Sequence, residues 1–403
     1  MPIQVFPTPS AGASYSSQPP ASASSVLLDG QLVTASSIST TVTGTGAPWL
    51  LYANGAGTTT ITIAGTAYTV TAGSTVGTSA YTGSQSVSVA ASLSTTAPAT
   101  FTASTMPSSS NWRSVAYGNG YFVAVQSSGT TAGAYSTNGT SWTASTMPSS
   151  QSWYGVTYGN GYYVAVAYST TAGAYSTNGT TWTASTMPSS SNWDAVTYGN
   201  GYYVAAAQGP STTGAYSTNG TSWTASTMPS SQNWSGVTYG NGYYVAVAAG
   251  TTTAGAYSTN GTSWTASTMP SNSDWRSVAY GLVGGTSTYV AVQGSGTTAG
   301  AYSTNGTSWT ASTMPSSPGW VSVTYGNGYY VAVAYGTTTG AYSTNGTTWT
   351  ALTMPSSAGW LSVTYGNGYY VAVAYGTTAG AYFAQSAALP VNFGIYNGPT
   401  TIN

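Results

Sequence analysis

The sequence predicts an all-β chain built from repeats, and three observations carry this prediction. After the start of the chain, the pair Met-Pro occurs seven more times at intervals of 40 to 45 residues, and a tryptophan follows each pair. Each interval contains four short strand-like runs separated by turns rich in Asn and Gly. Helical periodicity is absent. Four strands in a unit of about 40–50 residues, repeated at a fixed period, are typical of one architecture, so we predict a seven-bladed β-propeller. The seven pairs begin at Met106, Met147, Met187, Met228, Met269, Met314 and Met354.

The second repeat shows how one unit divides into strands. Its first strand is expected at residues 155–158, followed by a Gly-Asn-Gly turn of the kind that favours a tight hairpin. The second strand begins at Tyr162 and is apolar on both faces, as expected of a strand between neighbouring sheets. The third strand is expected around Tyr175, and the fourth around Trp182. Each repeat therefore predicts one four-stranded blade.

The two ends of the repeat array predict that the ring of blades closes. Before the first of these seven Met-Pro pairs stands only a fourth strand, residues 99–103, with Phe101 where other units have tryptophan. After the last pair come only three strands, which end at residues 381–383. We therefore expect the N-terminal strand to complete the last blade, so that no sheet edge stays open.

The residues outside the array differ from it in composition. Residues 1–24 contain five prolines and are predicted to form an extended arm. Alternating apolar and polar runs in residues 25–97 predict a small β-sandwich-like attachment module. Residues 98–385 form the predicted propeller, and residues 386–403 a C-terminal tail. The start of the chain has no basic and apolar leader, and no run of 18 apolar residues occurs, so we expect neither a signal peptide nor a membrane span.

The charge composition bears directly on the class of function. Only 5 of the 403 residues are charged, and there is no Lys, Glu, His or Cys. General acid–base catalysis and metal binding draw on those residue types, so we predict no enzymatic activity, no cofactor and no metal. Two arginines do not make the basic surface of a nucleic-acid binder. The 13% aromatic content supplies enough apolar surface for a core and argues against disorder.

The turn between the third and fourth strands carries a resemblance to a known repeat. Residues 135–142 read Tyr-Ser-Thr-Asn-Gly-Thr-Ser-Trp and resemble the Asp-box of bacterial-neuraminidase-repeat propellers, which has the form Ser-x-Asp-x-Gly-x-x-Trp. Asn replaces Asp every time, and the loop before Gly is one residue shorter. The resemblance implies a propeller fold; the sialidase activity of that family needs an arginine cluster, an acid, and a tyrosine activated by a glutamate, whereas this chain has two arginines and no glutamate. The same run recurs from Ser176, Ser217, Ser258, Ser303 and Ser343.

The general style of the chain resembles bacteriophage virion proteins such as tail fibres, head fibres and capsid decorations. This resemblance implies a location in the virion, contacts with other virion proteins through residues 1–97, and a homo-oligomer such as a trimer. The function that we expect is non-enzymatic adsorption to the host surface, with a surface glycan as ligand. Two alternatives stay open: a capsid-decorating protein without a specific ligand, and a secreted cell-surface adhesin.

Differences between the repeats indicate where a ligand would bind. The Gly-Asn-Gly and Ser-Thr-Asn-Gly turns hardly vary, whereas residues beside the tryptophan and after the second strand do. In a four-stranded meander these variable positions lie at one end of every blade, which predicts a binding surface there, although neutral drift in exposed loops would also produce variation. Aromatic rings stack on sugars, amides bond hydroxyl groups, and arginines add donors. The candidate ligand contacts are Tyr154, Tyr168, Tyr335, Tyr375, Gln126, Gln208, Gln293, Arg113 and Arg276.

Overall fold

The structure, a computed structural model, describes residues 5–6, 38–54, 58–71, 75–90, 97–283, 285–385 and 392–397. Every regular element within these ranges is a β-strand, which confirms the all-β prediction. The same residues include no helix of the length and hydropathy needed to cross a membrane. The chain divides into two compact units, of which the larger is Ala97–Ala384.

The described part of the smaller unit is one six-stranded sheet, with the strand order β1-β32-β2-β5-β3-β4. Its strands are β1 (Val5–Phe6), β2 (Ile38–Asn54), β3 (Thr58–Ile63), β4 (Thr66–Thr71), β5 (Thr75–Ala90) and the C-terminal β32 (Asn392–Asn397).

This sheet differs from the two facing sheets of the predicted sandwich. Its long strands β2 and β5 pair antiparallel from Ile38↔Val89 to Tyr52↔Thr75 and so form one extended ladder. The predicted C-terminal tail supplies β32, which pairs antiparallel with β2 and parallel with β1. An edge strand leaves N–H and C=O groups free to pair, and the C-terminal strand satisfies them here. The remainder of the predicted arm, residues 25–37 of the module and the remainder of the tail lie outside the described residues.

The larger unit contains, in its described residues, four four-stranded antiparallel sheets and one ten-stranded sheet. In the ten-stranded sheet β14 and β17 each run from one four-stranded group into the next, so the strands divide into seven four-stranded groups, which we call blades 1 to 7 in chain order. Blades 1 to 3 are formed by β7 (Trp112–Gly118), β8 (Tyr121–Gln126), β9 (Thr130–Ser136), β10 (Thr143–Gln151), β11 (Trp153–Gly159), β12 (Tyr162–Ala167), β13 (Thr170–Ser176), β14 (Thr183–Gly199), β15 (Tyr202–Gln208), β16 (Ser211–Ser217) and β17 (Thr224–Gly240).

Blades 4 to 7 follow with the same order of strands. Blade 4 begins with the second half of β17, and blade 7 ends with the N-terminal strand β6 (Thr102–Ser110). The other strands are β18 (Tyr243–Ala249), β19 (Thr252–Ser258), β20 (Thr265–Ser273), β21 (Trp275–Val283), β22 (Thr286–Gln293), β23 (Ala299–Ser303), β24 (Thr310–Thr313), β25 (Trp320–Gly326), β26 (Tyr329–Ala334), β27 (Thr339–Ser343), β28 (Thr350–Thr353), β29 (Gly359–Gly366), β30 (Tyr369–Tyr375) and β31 (Thr377–Ala384).

The closure of the ring by the N-terminal strand is confirmed. Strand β6 pairs with β31 in the register Ala103↔Ala381 and Thr102↔Tyr382. The first strand of blade 7, β29, contacts β7 of blade 1. The pairing strand starts at Thr102, three residues later than predicted, and Phe101 before it is 2% exposed in the core. Each blade therefore packs on two neighbours, as a propeller requires.

The core lies between the blades. The tryptophan after each Met-Pro pair is fully buried, as is nearly all of the second strand on both faces. The hydroxyl of Tyr163 in blade 2 donates a hydrogen bond to the carbonyl of Gly118 in blade 1, and the equivalent tyrosine of blades 3, 4, 5 and 7 repeats the bond. The repeated aromatic side chains thus serve mainly to join neighbouring blades.

The Ser-Thr-Asn-Gly turn is held by its own side chains. Asn178 Oδ1 accepts hydrogen bonds from the Ser176 hydroxyl and from the backbone N–H groups of Thr180 and Thr181, at 2.9–3.0 Å. Ser176 Oγ in turn accepts the N–H of Gly179. These bonds occupy the backbone up to residue 181, so the fourth strand starts at Thr183, and Trp182 stands just before it rather than within it.

The two ends of the blades are therefore chemically different. The Gly-Asn-Gly and Ser-Thr-Asn-Gly turns lie at one end, where Asn119 Nδ2 of blade 1 approaches the Thr177 carbonyl of blade 2 at 3.4 Å. We call this the turn end. At the other end, the loop after the second strand bonds to the residue before the tryptophan, as Tyr168 N does to the Ser152 carbonyl at 2.8 Å. We call that the bulge end, for the reason given below.

Candidate functional site

The residue after the tryptophan is a β-bulge in every blade. In blade 2, Trp153 pairs with Ala167 and Gly155 with Val166, so Tyr154 between them has no partner on the neighbouring strand. A bulge redirects a side chain away from the regular alternation of the strand. The ladders of all seven blades shift at the same place. We call these seven the bulge residues: Arg113, Tyr154, Asp194, Ser235, Arg276, Val321 and Leu361.

The seven bulge residues converge on one cavity at the centre of the ring. All of them line a depression of about 160 Å³ at the bulge end of the first strands. Gln208, from the loop after the second strand of blade 3, lines it as well. The positions that differ most between repeats thus surround a single concave surface, the usual form of a small-ligand site.

An ion pair crosses one side of this cavity. Arg113 of blade 1 donates from Nη2 to Asp194 Oδ1 of blade 3 at 3.0 Å, and the Asp194 side chain is only 4% exposed. Gln208 Nε2 donates to Asp194 Oδ2 at 2.7 Å. Burial raises the pKa of Asp194, and the charge and hydrogen bond of Arg113 oppose that rise. Asp194 is therefore engaged on both oxygens.

Aromatic rings extend the same side of the cavity. The guanidinium of Arg113 lies 4.8 Å from the centre of the Tyr154 ring, a cation–π contact. Tyr154 stacks on Tyr168 with ring centres 4.5 Å apart and an interplanar angle of 24°. Burial raises the pKa of Tyr154, and Arg113 partly offsets the rise. Tyr154 is therefore a neutral, hydrogen-bonding ring at neutral pH.

The second arginine is paired within its own blade. Arg276 Nε and Nη2 both donate to Asp274 Oδ2 at 2.8 Å. Asp274 Oδ1 also accepts the backbone N–H of Gly250 at 2.6 Å. Among the described residues, both arginines thus have an aspartate partner, and the charges around the cavity compensate each other. No group of three or more potential metal-ligating His, Cys, Asp or Glu side chains occurs in this part of the chain.

Another part of the cavity lining is apolar. Blades 6 and 7 contribute Val321 and Leu361 to the lining. From the same two blades come Tyr335 and Tyr375, which are 53% and 43% exposed and are the large apolar side chains with the greatest exposure among the described residues. Tyr335 pairs through its backbone with Gly359, two residues before Leu361. The lining therefore has a polar part, from blades 1 to 3, and an apolar part, from blades 6 and 7.

Four of the nine predicted contacts line the cavity, namely Arg113, Tyr154, Gln208 and Arg276, and two others are buried away from it. Gln126 and Gln293 are fully buried and cannot touch a ligand. Gln126 Nε2 donates to the carbonyl and hydroxyl of Thr130 at 3.0 and 2.8 Å, and Gln293 makes the same pair of bonds to Thr297. A buried amide needs such partners, and here it holds the loop after the second strand in place.

The sequence-based selection also missed part of the lining. Asp194, Ser235, Val321 and Leu361 line the cavity but were not among the predicted contacts. Four further lining residues are serines that follow or neighbour the bulge: Ser114, Ser277, Ser322 and Ser362. The available signal was positional, because every bulge residue directly follows the buried tryptophan of its repeat. Because the predicted contacts were polar or aromatic residue types, they did not include Val321 and Leu361.

Comparisons with known proteins place the fold. No protein-family model and no curated protein matches the sequence. Among solved structures, streptogramin B lyase has a TM-score of 0.62 at 11% identity, over 70% of this chain and 97% of that one. A catalytically inactive virginiamycin B lyase variant from Staphylococcus aureus, solved with quinupristin, has a TM-score of 0.61 at 12% identity, over 70% and 98%. YCF48 bound to D1 peptide has a TM-score of 0.56 at 14% identity, over 72% and 99%.

These likenesses concern the fold. The structures that resemble this chain include both an enzyme class and a protein bound to a peptide, so the shared architecture does not decide between catalysis and binding. The chain is an all-β repeat protein with the β-propeller fold.

Proposed function

We propose that this protein is a non-enzymatic binding protein of the bacteriophage virion, which displays a propeller for adsorption to a host-surface glycan. One observation carries the proposal: the residues that differ between otherwise similar repeats converge around one cavity, with two exposed tyrosines beside it. Tyrosine rings and neutral polar groups suit a polyhydroxylated ligand.

The chemistry of the cavity supports binding over catalysis. The aspartate that lines it, Asp194, is held by Arg113 and Gln208, and the chain has no histidine, cysteine, lysine or glutamate. No free acid–base pair therefore stands ready to transfer a proton. Compensated charges also mean that binding should depend little on ionic strength.

The virion assignment and the attachment role of residues 1–97 extend the expectations from the sequence. Among the described strands, β4 lies at one edge of the six-stranded sheet and pairs with β3 alone. An open edge accepts a strand from another chain, which supports contact with a virion partner or with a second copy of this protein. Multiple copies would strengthen weak binding at each propeller.

The test is binding of the full chain to an array of bacterial surface polysaccharides at low and high salt. We expect binding to at least one polysaccharide, persisting in high salt, and a loss of about tenfold in the double variant Tyr335→Ala/Tyr375→Ala, since two stacking rings are removed. The matched control is Thr177→Ala/Thr218→Ala at the turn end, which should bind like wild type. If wild type binds no polysaccharide, adsorption is excluded and the capsid-decorating alternative takes its place.

A further inference from the structure

The central cavity has room for a sugar unit. The 160 Å³ open to the centres of water-sized spheres holds on the order of ten water molecules, at about 10–15 Å³ each. Residues from all seven blades surround this space, so a longer glycan would enter it by its terminal unit.

Free hydrogen-bond donors face this space. Ser114, Ser277, Ser322 and Ser362 each accept, through Oγ, a backbone N–H from the next blade at 3.1–3.2 Å. A hydroxyl also has one proton to donate, and no described residue accepts the protons of these four. The lining thus offers donors to a group that accepts hydrogen bonds.

The apolar side and the donors come from consecutive residues. In blade 6, Val321 is followed by Ser322, and in blade 7, Leu361 is followed by Ser362. A group that fits both pairs would carry a hydrogen-bond acceptor and a small apolar substituent close together. The paired charges of Arg113 with Asp194 and of Arg276 with Asp274 favour a neutral group, because a charged one would compete with an existing partner.

The acetamido group of an N-acetylhexosamine has these properties, since its carbonyl oxygen and its methyl group are bonded to the same carbon. Resting on the proposed glycan adsorption, we propose that the central cavity binds the terminal N-acetylhexosamine of a neutral glycan. The methyl group packs against Val321 and Leu361, and the carbonyl accepts from Ser322 or Ser362. A plain hexose lacks the methyl group, and a 6-deoxyhexose has a methyl group without the carbonyl.

The repeats themselves supply substitutions that the fold accepts. Blade 4 has Ser235 at the position of Leu361, and blade 3 has Ala195 at the position of Ser362. Leu361→Ser and Ser362→Ala therefore introduce residues that this architecture already contains. At the turn end, Thr181→Ser copies Ser141 of blade 1 and serves as the control.

The experiment is titration of the full chain with N-acetylglucosamine, N-acetylgalactosamine, glucose, galactose and rhamnose, followed by calorimetry and ligand-observed NMR. We expect one site per chain, an N-acetylated sugar binding about tenfold more tightly than its parent hexose, and a loss of about tenfold in Leu361→Ser and in Ser362→Ala. Thr181→Ser should bind like wild type. Thermal unfolding of each variant shows that the fold is retained.

Two results would overturn the inference: binding of the parent hexoses or rhamnose as tightly as the N-acetylated sugars, or unchanged affinity in both cavity variants. If the chain binds polysaccharides on the array but none of the N-acetylated sugars, the inference fails and the proposed function stands. If it binds no carbohydrate in either experiment, both fail.

Discussion

The turn end and the bulge end of the propeller come from the same repeat, yet the repeats agree at one end and differ at the other. At the turn end, Asn160 has a φ of 44° and Gly161 a φ of 82°, and the same pair of angles recurs in blades 1, 3, 4, 6 and 7. Few residue types adopt this left-handed region without strain. The sequence of the turn end is therefore set by the backbone.

At the seven bulge residues the backbone places no such demand, because none of them has a positive φ; the loop after the second strand does contain such positions, as at Ser169 and Gly336 with φ of 58° and 68°. A bulge residue is left out of the ladder, so its side chain fills no fixed place in the pairing. Arg, Tyr, Asp, Ser, Val and Leu all occur there in this one chain. The difference teaches that the bulge end is where this architecture can acquire a binding site at little cost in stability.

Alkaline pH should give the largest effect, because it acts on the turn end of most blades together. Burial raises the pKa of Tyr325 and Tyr365 to about 12, and raises that of Tyr163 and its equivalents in blades 3 to 7 well above its usual range. In the unfolded chain these groups ionise near pH 10. The native state keeps their protons longer, so stability is full below about pH 10 and is lost as the pH rises towards about 12.

Circular dichroism and phenolate absorbance, recorded together from pH 8 to 12, measure this loss. The chain has no lysine or cysteine, so tyrosine dominates the titration. Tyr163→Phe copies Phe122 of blade 1 and should move the unfolding midpoint to higher pH. The control Tyr335→Phe removes an exposed phenol at the bulge end and should leave the pH midpoint of unfolding unchanged. Retention of the native spectrum while most tyrosines ionise near pH 10 would contradict the expectation.

A single methyl group at the turn end should give the next largest effect. A Cβ added to Gly159 would lie 2.0 Å from Cγ of Tyr198 in blade 3, whose ring packs on Tyr203 with centres 4.7 Å apart. Relief requires the two blades to separate, so we expect Gly159→Ala to lower the free energy of unfolding by about 3 kcal/mol. Urea unfolding of the wild type and of Gly159→Ala measures this loss.

The control for this substitution lies two residues further along the same turn. A Cβ on Gly161 meets nothing within 4 Å, so Gly161→Ala involves only the cost of a positive φ, about 1–2 kcal/mol. Equal losses for the two variants would mean that backbone conformation, not contact between blades, fixes the glycines of this end.

The sequence was sufficient for the propeller because its signals are local and repeated. The repeat period, the turn residues and the incomplete units at the two ends together predict the strand order and a closing strand, which was expected at residues 99–103 and lies at Thr102–Ser110. The place of each side chain in the folded site was harder to predict from the sequence. Whether Gln126 faces solvent or the Thr130 loop depends on a rotamer, and the bulge at Tyr154 depends on pairing across two strands. Neither has a signature in one repeat.

The six-stranded sheet shows a different limit of sequence reasoning. Strand β32 is separated from its partner β2 by the whole propeller, so its pairing depends on a contact between distant parts of the chain. Alternation of apolar residues predicts that a segment forms a strand, but not which edge it joins. Composition alone therefore predicts a tail separate from the N-terminal module, whereas β32 belongs to the same sheet as β2.

The smallest effect is expected at the bulge end, where the two arginines provide a matched pair. The Arg276 side chain is 41% exposed, and its partner Asp274 keeps the N–H of Gly250, so Arg276→Ala should change the free energy of unfolding by no more than about 1 kcal/mol. Arg113→Ala leaves Asp194, which is 4% exposed, without its cation, and should lower the free energy of unfolding by about 3 kcal/mol at neutral pH.

This loss should depend on pH. Burial already raises the pKa of Asp194, so acidification protonates Asp194 more readily and should reduce the loss in Arg113→Ala, but not that in Arg276→Ala. Urea unfolding of both variants at neutral and acidic pH measures the difference. Equal and pH-independent losses would show that the ion pair across the cavity is no more buried than the one between Asp274 and Arg276.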